Sequence, residues 1–194
     1  TFANGLRSIV RLDPDIIMIG EIRDRETAEI AIHAALTGHL VFSTLHTNDA
    51  VSACARLIDI GVEPYLISSS LTAVLAQRLI RKLCSHCRKG YEPSEAELLA
   101  AKVSAIEAYR GKTLYKEEGC PQCQNMGFQG RTAVFELFLP NDKIRELIAK
   151  KASSQELFEE AKKMGMKTLL ESGLEKVKAG VTSFSEILRV IQEI

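Results

Sequence analysis

Apolar residues follow two different patterns in the first eighty residues of the chain. Over residues 2–11 they recur at the spacing of one helix face. Residues 16–19 and 40–45 are instead short continuous apolar runs, as expected for inner parallel strands covered on both faces. Start and stop signals predict three further helices, over residues 24–36, 47–61 and 64–70. With residues 76–83 also extended, this alternation predicts an α/β fold with a parallel sheet.

The pattern changes after residue 83, where the first of two Cys-x-x-Cys pairs begins. Between the pairs we expect one amphipathic helix that ends near Tyr109 and a short strand over residues 113–116. A strand over 131–138 follows, and the tail is predicted to be helical. Its helices are expected over 141–150, over 167–178, and after two Ser-x-x-Glu capping boxes at 153–156 and 183–186.

Composition restricts the class of protein. The 194 residues carry 25 basic and 25 acidic side chains, so bulk charge indicates no nucleic-acid or anionic-membrane surface. No apolar run is long enough to span a bilayer, and no secretory signal precedes the first helix. Any membrane association is therefore expected to depend on a partner. The chain begins with Thr1 inside a helical pattern, which predicts a fragment of a longer protein.

The run over residues 16–19 ends in Gly20 and Glu21. In P-loop nucleotide hydrolases an inner strand delivers a carboxylate to the carboxyl edge of the sheet, where it orients water against a phosphate or helps to hold Mg²⁺. The alternative is a strand end that merely reaches solvent, and for a short motif alone this alternative is the commoner one. Gly20 also stands where such motifs usually have an acid. Glu21 is thus a candidate catalytic residue that needs support from elsewhere.

Two histidines flank the second apolar run and supply that support. His39 lies at its start and His46 just past its end. If the two runs are neighbouring parallel strands, Glu21 and His46 emerge at the carboxyl edge, where open α/β sheets bind ligands. An imidazole there can hydrogen-bond a phosphate. Two histidines in solvated turns remain the alternative.

Three arginines are candidate phosphate contacts. Arg7 and Arg11 share one helix face, and Arg23 follows Glu21 by two residues. A guanidinium group is a natural partner of phosphate, including one supplied by a neighbouring subunit. A solvated helix face and an ion pair between Arg23 and Asp24 explain the same residues without function.

Four of the five cysteines form the most specific local signal. Two Cys-x-x-Cys pairs can supply the four thiolates of a tetrahedral zinc site, and such a closed site is structural. Redox dithiols or two disulfides are the alternative, and His86, inside the first pair, is a possible substitute ligand. The fifth, Cys54, is predicted to be a core thiol. The four candidate ligands are Cys84, Cys87, Cys120 and Cys123.

Several of these stretches together resemble a known family. The segments DPDIIMIGEIRDRETAEIAIHAALTGHLVFSTLHTNDA, AQRLIRKLC and GRTAVFEL, with the two cysteine pairs, are similar to the ATPases of type II secretion and type IV pilus assembly (the GspE/PilB-like family). The similarity extends over residues 2–193. It implies a partial RecA-like P-loop NTPase core over residues 1–83, a zinc-binding tetracysteine insertion over 84–140 and a helical C-terminal region over 141–194.

The resemblance also implies an activity and site residues. The family is expected to form cytoplasmic, hexameric, Mg²⁺-dependent motors that hydrolyse ATP and act through an inner-membrane platform protein, without nucleic acid and without inserting in the membrane. Glu21 corresponds to the Walker B glutamate, and the preceding glycine is shared with the family. His39 and His46 correspond to its His box, and the four cysteines to its zinc site. The arginines fall where the family has residues proposed to meet phosphate: Arg7, Arg11 and Arg23.

One departure from the family pattern affects the expected activity. No Gly-Lys-Ser/Thr phosphate loop follows a buried strand, and GKTL at Gly111 lies between the cysteine pairs. We therefore expect these 194 residues alone to be inactive as an ATPase. A stand-alone zinc-bearing interaction module and a pilus-retraction motor remain alternatives, and the cysteines count against the latter.

Overall fold

The predicted alternation of strands and helices is present in the computed structural model, which describes residues 2–100, 109 and 111–192. The helices are α1 Phe2–Val10, α2 Arg25–Leu36, α3 Ser52–Asp59, α4 Pro64–Ser70, α5 Glu95–Ala100, α6 Asp142–Ala149, α7 Ser154–Lys163, α8 Leu169–Lys178 and α9 Phe184–Gln192. The strands are β1 Ile16–Ile19, β2 Leu40–Ser43, β3 Val74–Leu83, β4 Lys89–Tyr91, β5 Leu114–Lys116 and β6 Phe128–Phe138.

Packing divides the chain into two compact units. Unit 1 comprises residues 1–76 and 137–166, and unit 2 comprises 77–136 and 167–194. Each unit therefore combines two separate stretches of sequence, whereas the division predicted from the sequence used three consecutive segments. Among the described residues, no helix has both the length and the apolar character needed to cross a bilayer.

Unit 1 contains the predicted parallel strand pair. β1 and β2 are parallel, with Ile17 opposite Val41 and Ile19 opposite Ser43. One face of the pair packs on Leu6 of α1 and Ala31 of α2, which confirms the predicted strand and helix order. The expectation of cover on both faces is wrong within this structure. The other face leaves four side chains 49–67% exposed: Ile16, Met18, Leu40 and Phe42.

Two helix and strand boundaries in unit 1 differ from those predicted. β2 ends at Ser43 rather than at residue 45, because the backbone carbonyl of Thr44 already bonds to the loop after β1. α3 begins at Ser52, later than the predicted start at residue 47. In the turn before it, the Asp49 carboxylate accepts hydrogen bonds from both the Ser52 amide and the Ser52 hydroxyl. This local bonding of a short polar side chain to the backbone competes with helix over residues 47–51.

Unit 2 contains two small sheets and two packed helices. β3 pairs with β6, and β4 pairs antiparallel with β5. α8 and α9 approach closely at Gly173, where a Cβ atom would come within 2.8 Å of the Ile187 side chain. β4 is not predicted by the sequence analysis. The expected helix near Tyr109 is seen as α5, and residues 101–108 of that expectation lie outside the described residues.

Both predicted capping boxes begin helices, but only one is complete. At α7 the Ser153 and Glu156 side chains bond reciprocally to the backbone. At α9 the Ser183 hydroxyl accepts from the Glu186 amide at 3.4 Å, but the Glu186 carboxylate binds Arg81 and Arg189 instead of closing the box. A buried carboxylate gains more from two guanidinium groups than from one backbone amide.

Candidate active site and metal centre

The loops that follow β1 and β2 bring Glu21 and His46 together. Glu21 lies two residues beyond the end of β1, and His46 lies three residues beyond the end of β2. Because the strands are parallel, both loops leave the same edge of the sheet. His46 Nε2 lies 3.1 Å from Glu21 Oε2. The juxtaposition expected from the sequence is therefore present.

One carboxylate oxygen of Glu21 receives two donors. Arg23 Nε donates to Oε2 at 2.6 Å, and His46 Nε2 must carry the ring proton that it donates to the same oxygen, since an ionised carboxylate only accepts. The hydrogen bond from Arg23 and then that from His46 hold the pKa of the Glu21 carboxyl below its ordinary value. Oε1 accepts no hydrogen bond from the described residues. Glu21 is thus ionised near neutral pH, with one oxygen available to a water molecule.

Arg23 and Asp24 are arranged differently from the ion pair considered in the sequence analysis. Arg23 binds Glu21, whereas Asp24 caps α2 by accepting hydrogen bonds from the Thr27 amide at 2.8 Å and the Thr27 hydroxyl at 3.1 Å. The bond from the amide, and then that from the hydroxyl, lower the pKa of the Asp24 carboxyl. The cap fixes the start of α2 immediately after the loop that carries Glu21.

His39 lies at the opposite end of β2 from His46. Its Nδ1 is 2.9 Å from the Ala34 carbonyl oxygen and 3.2 Å from the Thr37 hydroxyl. Its Nε2 is buried and has no hydrogen-bond partner among the described residues. The structure therefore does not bring His39 to Glu21, and its contact with nucleotide stays a prediction.

Arg7 and Arg11 are not brought to Glu21 by contacts within the structure. Arg7 forms an ion pair with Glu26 at 2.7 Å and donates to the Asn4 side chain at 3.1 Å. Arg11 follows α1 and is exposed. Both side chains are accessible to a ligand or a neighbouring molecule, and their contact with phosphate stays a prediction.

The four cysteines of the two pairs converge in unit 2. Their sulfur atoms all lie within 4.8 Å of one another. Sγ of Cys84 is 3.9 Å from Sγ of Cys120, Sγ of Cys87 is 3.8 Å from Sγ of Cys123, and the Cys120 and Cys123 sulfurs are 3.7 Å apart. All four thiols are free, so the alternative of two disulfides has no support here. This cluster can hold a metal ion.

Backbone amides around the second pair favour a thiolate at Cys123. The amides of Cys120 and Gly127 each donate to Cys123 Sγ at 3.2 Å. Burial opposes ionisation, but these bonds outweigh it and lower the pKa of the Cys123 thiol to about 6. Burial raises the pKa of the Cys87 thiol to about 12. The two amide bonds therefore favour the thiolate form of Cys123, which is the form that binds a metal ion.

The remaining candidates lie outside this cluster. His86 is exposed and is not among the four grouped ligands. Cys54 is fully buried, and burial raises the pKa of its thiol to about 12, which confirms the prediction of a core thiol. It lines a cavity of about 260 Å³ between α3 and the start of α7.

Two residues with structural roles at these sites were missed by the sequence analysis. Thr44 bonds to the backbone on both sides of Glu21. Gly127, at φ +73°, donates its amide to Cys123 Sγ, and a Cβ atom there would lie 2.5 Å from the Glu117 Cβ. The spacing Cys-x-x-Cys-x-x-x-Gly is a signal for the glycine, whereas no pattern distinguishes Thr44 from any polar residue that ends a strand.

Comparison with known proteins identifies relatives over the whole chain. Residues 1–189 match the family described as type II/IV secretion system protein. The type II secretion system ATPase E of Vibrio cholerae is 50% identical over 193 residues, covering 100% of this chain and 38% of that protein. The type IV pilus assembly ATPase PilB of Thermus thermophilus is 50% identical over 188 residues, covering 97% of this chain and 21% of that protein.

A solved structure supports the same fold. The pilus retraction motor PilT with bound ADP superposes with a TM-score of 0.66 at 29% identity, covering 97% of this chain and 43% of that one. This likeness and the tetracysteine cluster confirm the predicted fold class. The chain spans well under half the length of these relatives. With half of all positions identical to secretion and pilus-assembly ATPases, the chain belongs to the type II/IV secretion system protein family.

Proposed function

We propose that the chain is the carboxyl-terminal part of a hexameric motor ATPase that hydrolyses ATP to power type II secretion or type IV pilus assembly. The observation that carries the proposal is the contact of Glu21 with His46 at the carboxyl edge of a parallel strand pair. Relatives named as ATPases of both systems are equally similar, at 50% identity, so the proposal covers both.

Glu21 is the proposed catalytic residue. Its ionised carboxylate orients the attacking water through Oε1, while Arg23 and His46 hold Oε2. His46, with an exposed ring, is placed to leave Glu21 and bond a terminal phosphate when nucleotide binds. Mg²⁺, bound with ATP, would neutralise charge on the phosphates. Arg7, Arg11 and His39 are proposed phosphate contacts in the assembled protein.

The metal of the tetracysteine cluster is proposed to be zinc in a structural role. Four thiolates at the usual Zn–S distance of about 2.3 Å occupy the corners of a tetrahedron with edges of about 3.8 Å. Three of the six sulfur separations, at 3.7–3.9 Å, agree with that edge length, and all six lie within 4.8 Å. Four protein ligands leave no open position for a substrate, so the site stabilises the fold around it.

The proposed setting rests on the resemblance to ATPases of type II secretion and type IV pilus assembly. The assembled motor acts at the cytoplasmic face of the inner membrane as a peripheral protein, held there by a platform protein of the machinery. It contacts neither nucleic acid nor the bilayer interior. An assembly or secretion motor is favoured over a retraction motor, because the identity to PilB is 50% and that to PilT is 29%.

The test of this function is Glu21→Gln in the longer motor protein that contains this chain. Removing the carboxylate charge should slow ATP hydrolysis by about 10²-fold or more, with ATP affinity nearly unchanged, because general-base contributions have this size. Glu29→Gln is the matched control, since the Glu29 carboxylate on α2 forms its ion pair with Arg25 rather than with Arg23 or His46. Turnover by Glu21→Gln at the rate of the control would remove Glu21 from the catalytic role.

A further inference from the structure

Thr44 forms hydrogen bonds with the backbone on both sides of Glu21. Its hydroxyl donates to the Gly20 carbonyl oxygen at 2.6 Å, and its own carbonyl oxygen accepts from the Ile22 amide at 3.1 Å. The regular pairing of β1 with β2 ends one residue earlier, at Ile19 and Ser43. These two bonds therefore join the loop after β1 to the loop after β2, beyond the last paired residues of the strands.

Thr44 is also close in sequence to His46, which bonds the Glu21 carboxylate. His46 follows Thr44 by two residues, so anchoring Thr44 fixes the start of the short backbone segment that carries the imidazole. Anchoring Thr44 to residues 20 and 22 thus restricts the distance between the Glu21 and His46 side chains. The observed result is the 3.1 Å separation of His46 Nε2 from Glu21 Oε2.

Packing does not explain the presence of a threonine here. The Thr44 side chain is exposed, as are its neighbours Phe42 and Ser43. A valine side chain has the same shape and would fit this exposed position equally well. Only the hydroxyl of Thr44 makes a directed contact. The contribution of Thr44 is therefore its hydrogen bond rather than its burial.

We propose that Thr44 is a positioning residue that holds the Glu21 carboxylate against His46. It acts through its hydrogen bonds to the backbone of Gly20 and Ile22. The geometric part of this proposal depends only on the present structure, and its consequence for hydrolysis rests on the proposed function. Misplacement of a reacting group by about 1 Å can cost about 10²-fold in rate.

The first experiment uses the 194-residue chain and nuclear magnetic resonance. Thr44→Val removes the hydroxyl and keeps the shape, and Thr44→Ser keeps the hydroxyl. In Thr44→Val the cross-relaxation between the His46 ring and the Glu21 side chain should disappear, and the Glu21 pKa should rise towards its ordinary value. Thr44→Ser should retain both signals. The control is Thr182→Val, which removes a hydroxyl that donates to a backbone carbonyl at 2.8 Å in unit 2.

The second experiment measures hydrolysis by the longer motor protein. Thr44→Val should lower kcat by about 10- to 100-fold with little change in KM for ATP, and Thr44→Ser should restore most of the rate. Unchanged Glu21 signals in Thr44→Val would overturn the positioning role, as would a raised KM at unchanged kcat. If instead Glu21→Gln hydrolyses ATP normally while Thr44→Val still alters the Glu21 signals, the proposed function fails and the positioning role stands.

Discussion

The buried carboxylate of Glu186 should contribute strongly to the stability of unit 2. Its side chain is fully buried, and Oε2 accepts from Arg81 Nη2 at 2.6 Å and from Arg189 Nε at 3.0 Å. The Arg81 amide donates to Oε1 at 2.9 Å. Burial alone would raise the pKa of Glu186, but these donors outweigh it and lower the pKa from 4.5 to about 2.

The magnitude follows from this change in pKa. A difference of about 2.5 between the unfolded and folded pKa, at about 1.36 kcal/mol for each pH unit, corresponds to about 3 kcal/mol of folding free energy. The Arg81 and Arg189 side chains are 44% and 49% exposed, so solvent screens part of this interaction. We therefore expect Glu186→Gln to lower the free energy of unfolding at pH 7 by about 2–3 kcal/mol.

The pH dependence gives a second test of the same contribution. Because the folded pKa is lowered, the stabilisation is complete above pH 4.5 and is lost as the pH falls towards about 2. The stability difference between the wild-type chain and Glu186→Gln should therefore shrink across this window and nearly vanish at its lower end. Other carboxylates titrate equally in both proteins and cancel in the difference.

The assay is urea unfolding followed by circular dichroism, with hydrogen exchange of the Arg81 amide as a local measure. The matched control is Glu175→Gln, which breaks an exposed ion pair with Lys167 and should cost less than about 1 kcal/mol. An effect of Glu186→Gln no larger than that of the control would refute the reasoning. So would an effect of constant size between pH 7 and pH 2.

Two further predictions concern the tetracysteine cluster. Cys84→Ser should abolish stoichiometric zinc binding, measured by elemental analysis, and lower the melting temperature of unit 2. The control Cys54→Ala, outside the cluster, should keep its zinc. Equal zinc content in the two variants would contradict the assignment. Gly127→Ala should weaken zinc binding and destabilise unit 2, because its Cβ would lie 2.5 Å from the Glu117 Cβ at φ +73°. Gly111→Ala is the control, because Gly111 has φ +66° but a Cβ atom there would have nothing within 4 Å. It should lower the free energy of unfolding only by the about 1–2 kcal/mol that the backbone conformation costs. Equal effects at the two glycines would show that the contact with Glu117 is unimportant.

Local sequence signals were sufficient for most helices and strands. Residues 16–19 form the predicted strand, and α2 begins at Arg25, within one residue of the predicted start at residue 24. The Ser153 capping box also formed, because its two bonds join residues three apart. Such signals succeed where the deciding contacts lie within one turn of the chain.

Local signals failed where a distant residue competed for the same group. Glu186 was expected to cap α9, but Arg81, 105 residues away in sequence, binds its carboxylate. β2 ended early because Thr44 bonds to the loop after β1. Local patterns predict which bonds a side chain can make, but they do not include competitors that only folding brings near.

The sequence alone determined the residue types at both sites: an acid after one apolar run, a histidine after the next, and two cysteine pairs. Only the tertiary structure decided that Glu21 and His46 share a hydrogen bond while His39 faces Ala34, and that sulfurs 36 residues apart lie 3.8–3.9 Å from each other. The physical reason is that spacing along the chain specifies the order of groups, whereas their separation in space depends on strand register and loop anchoring.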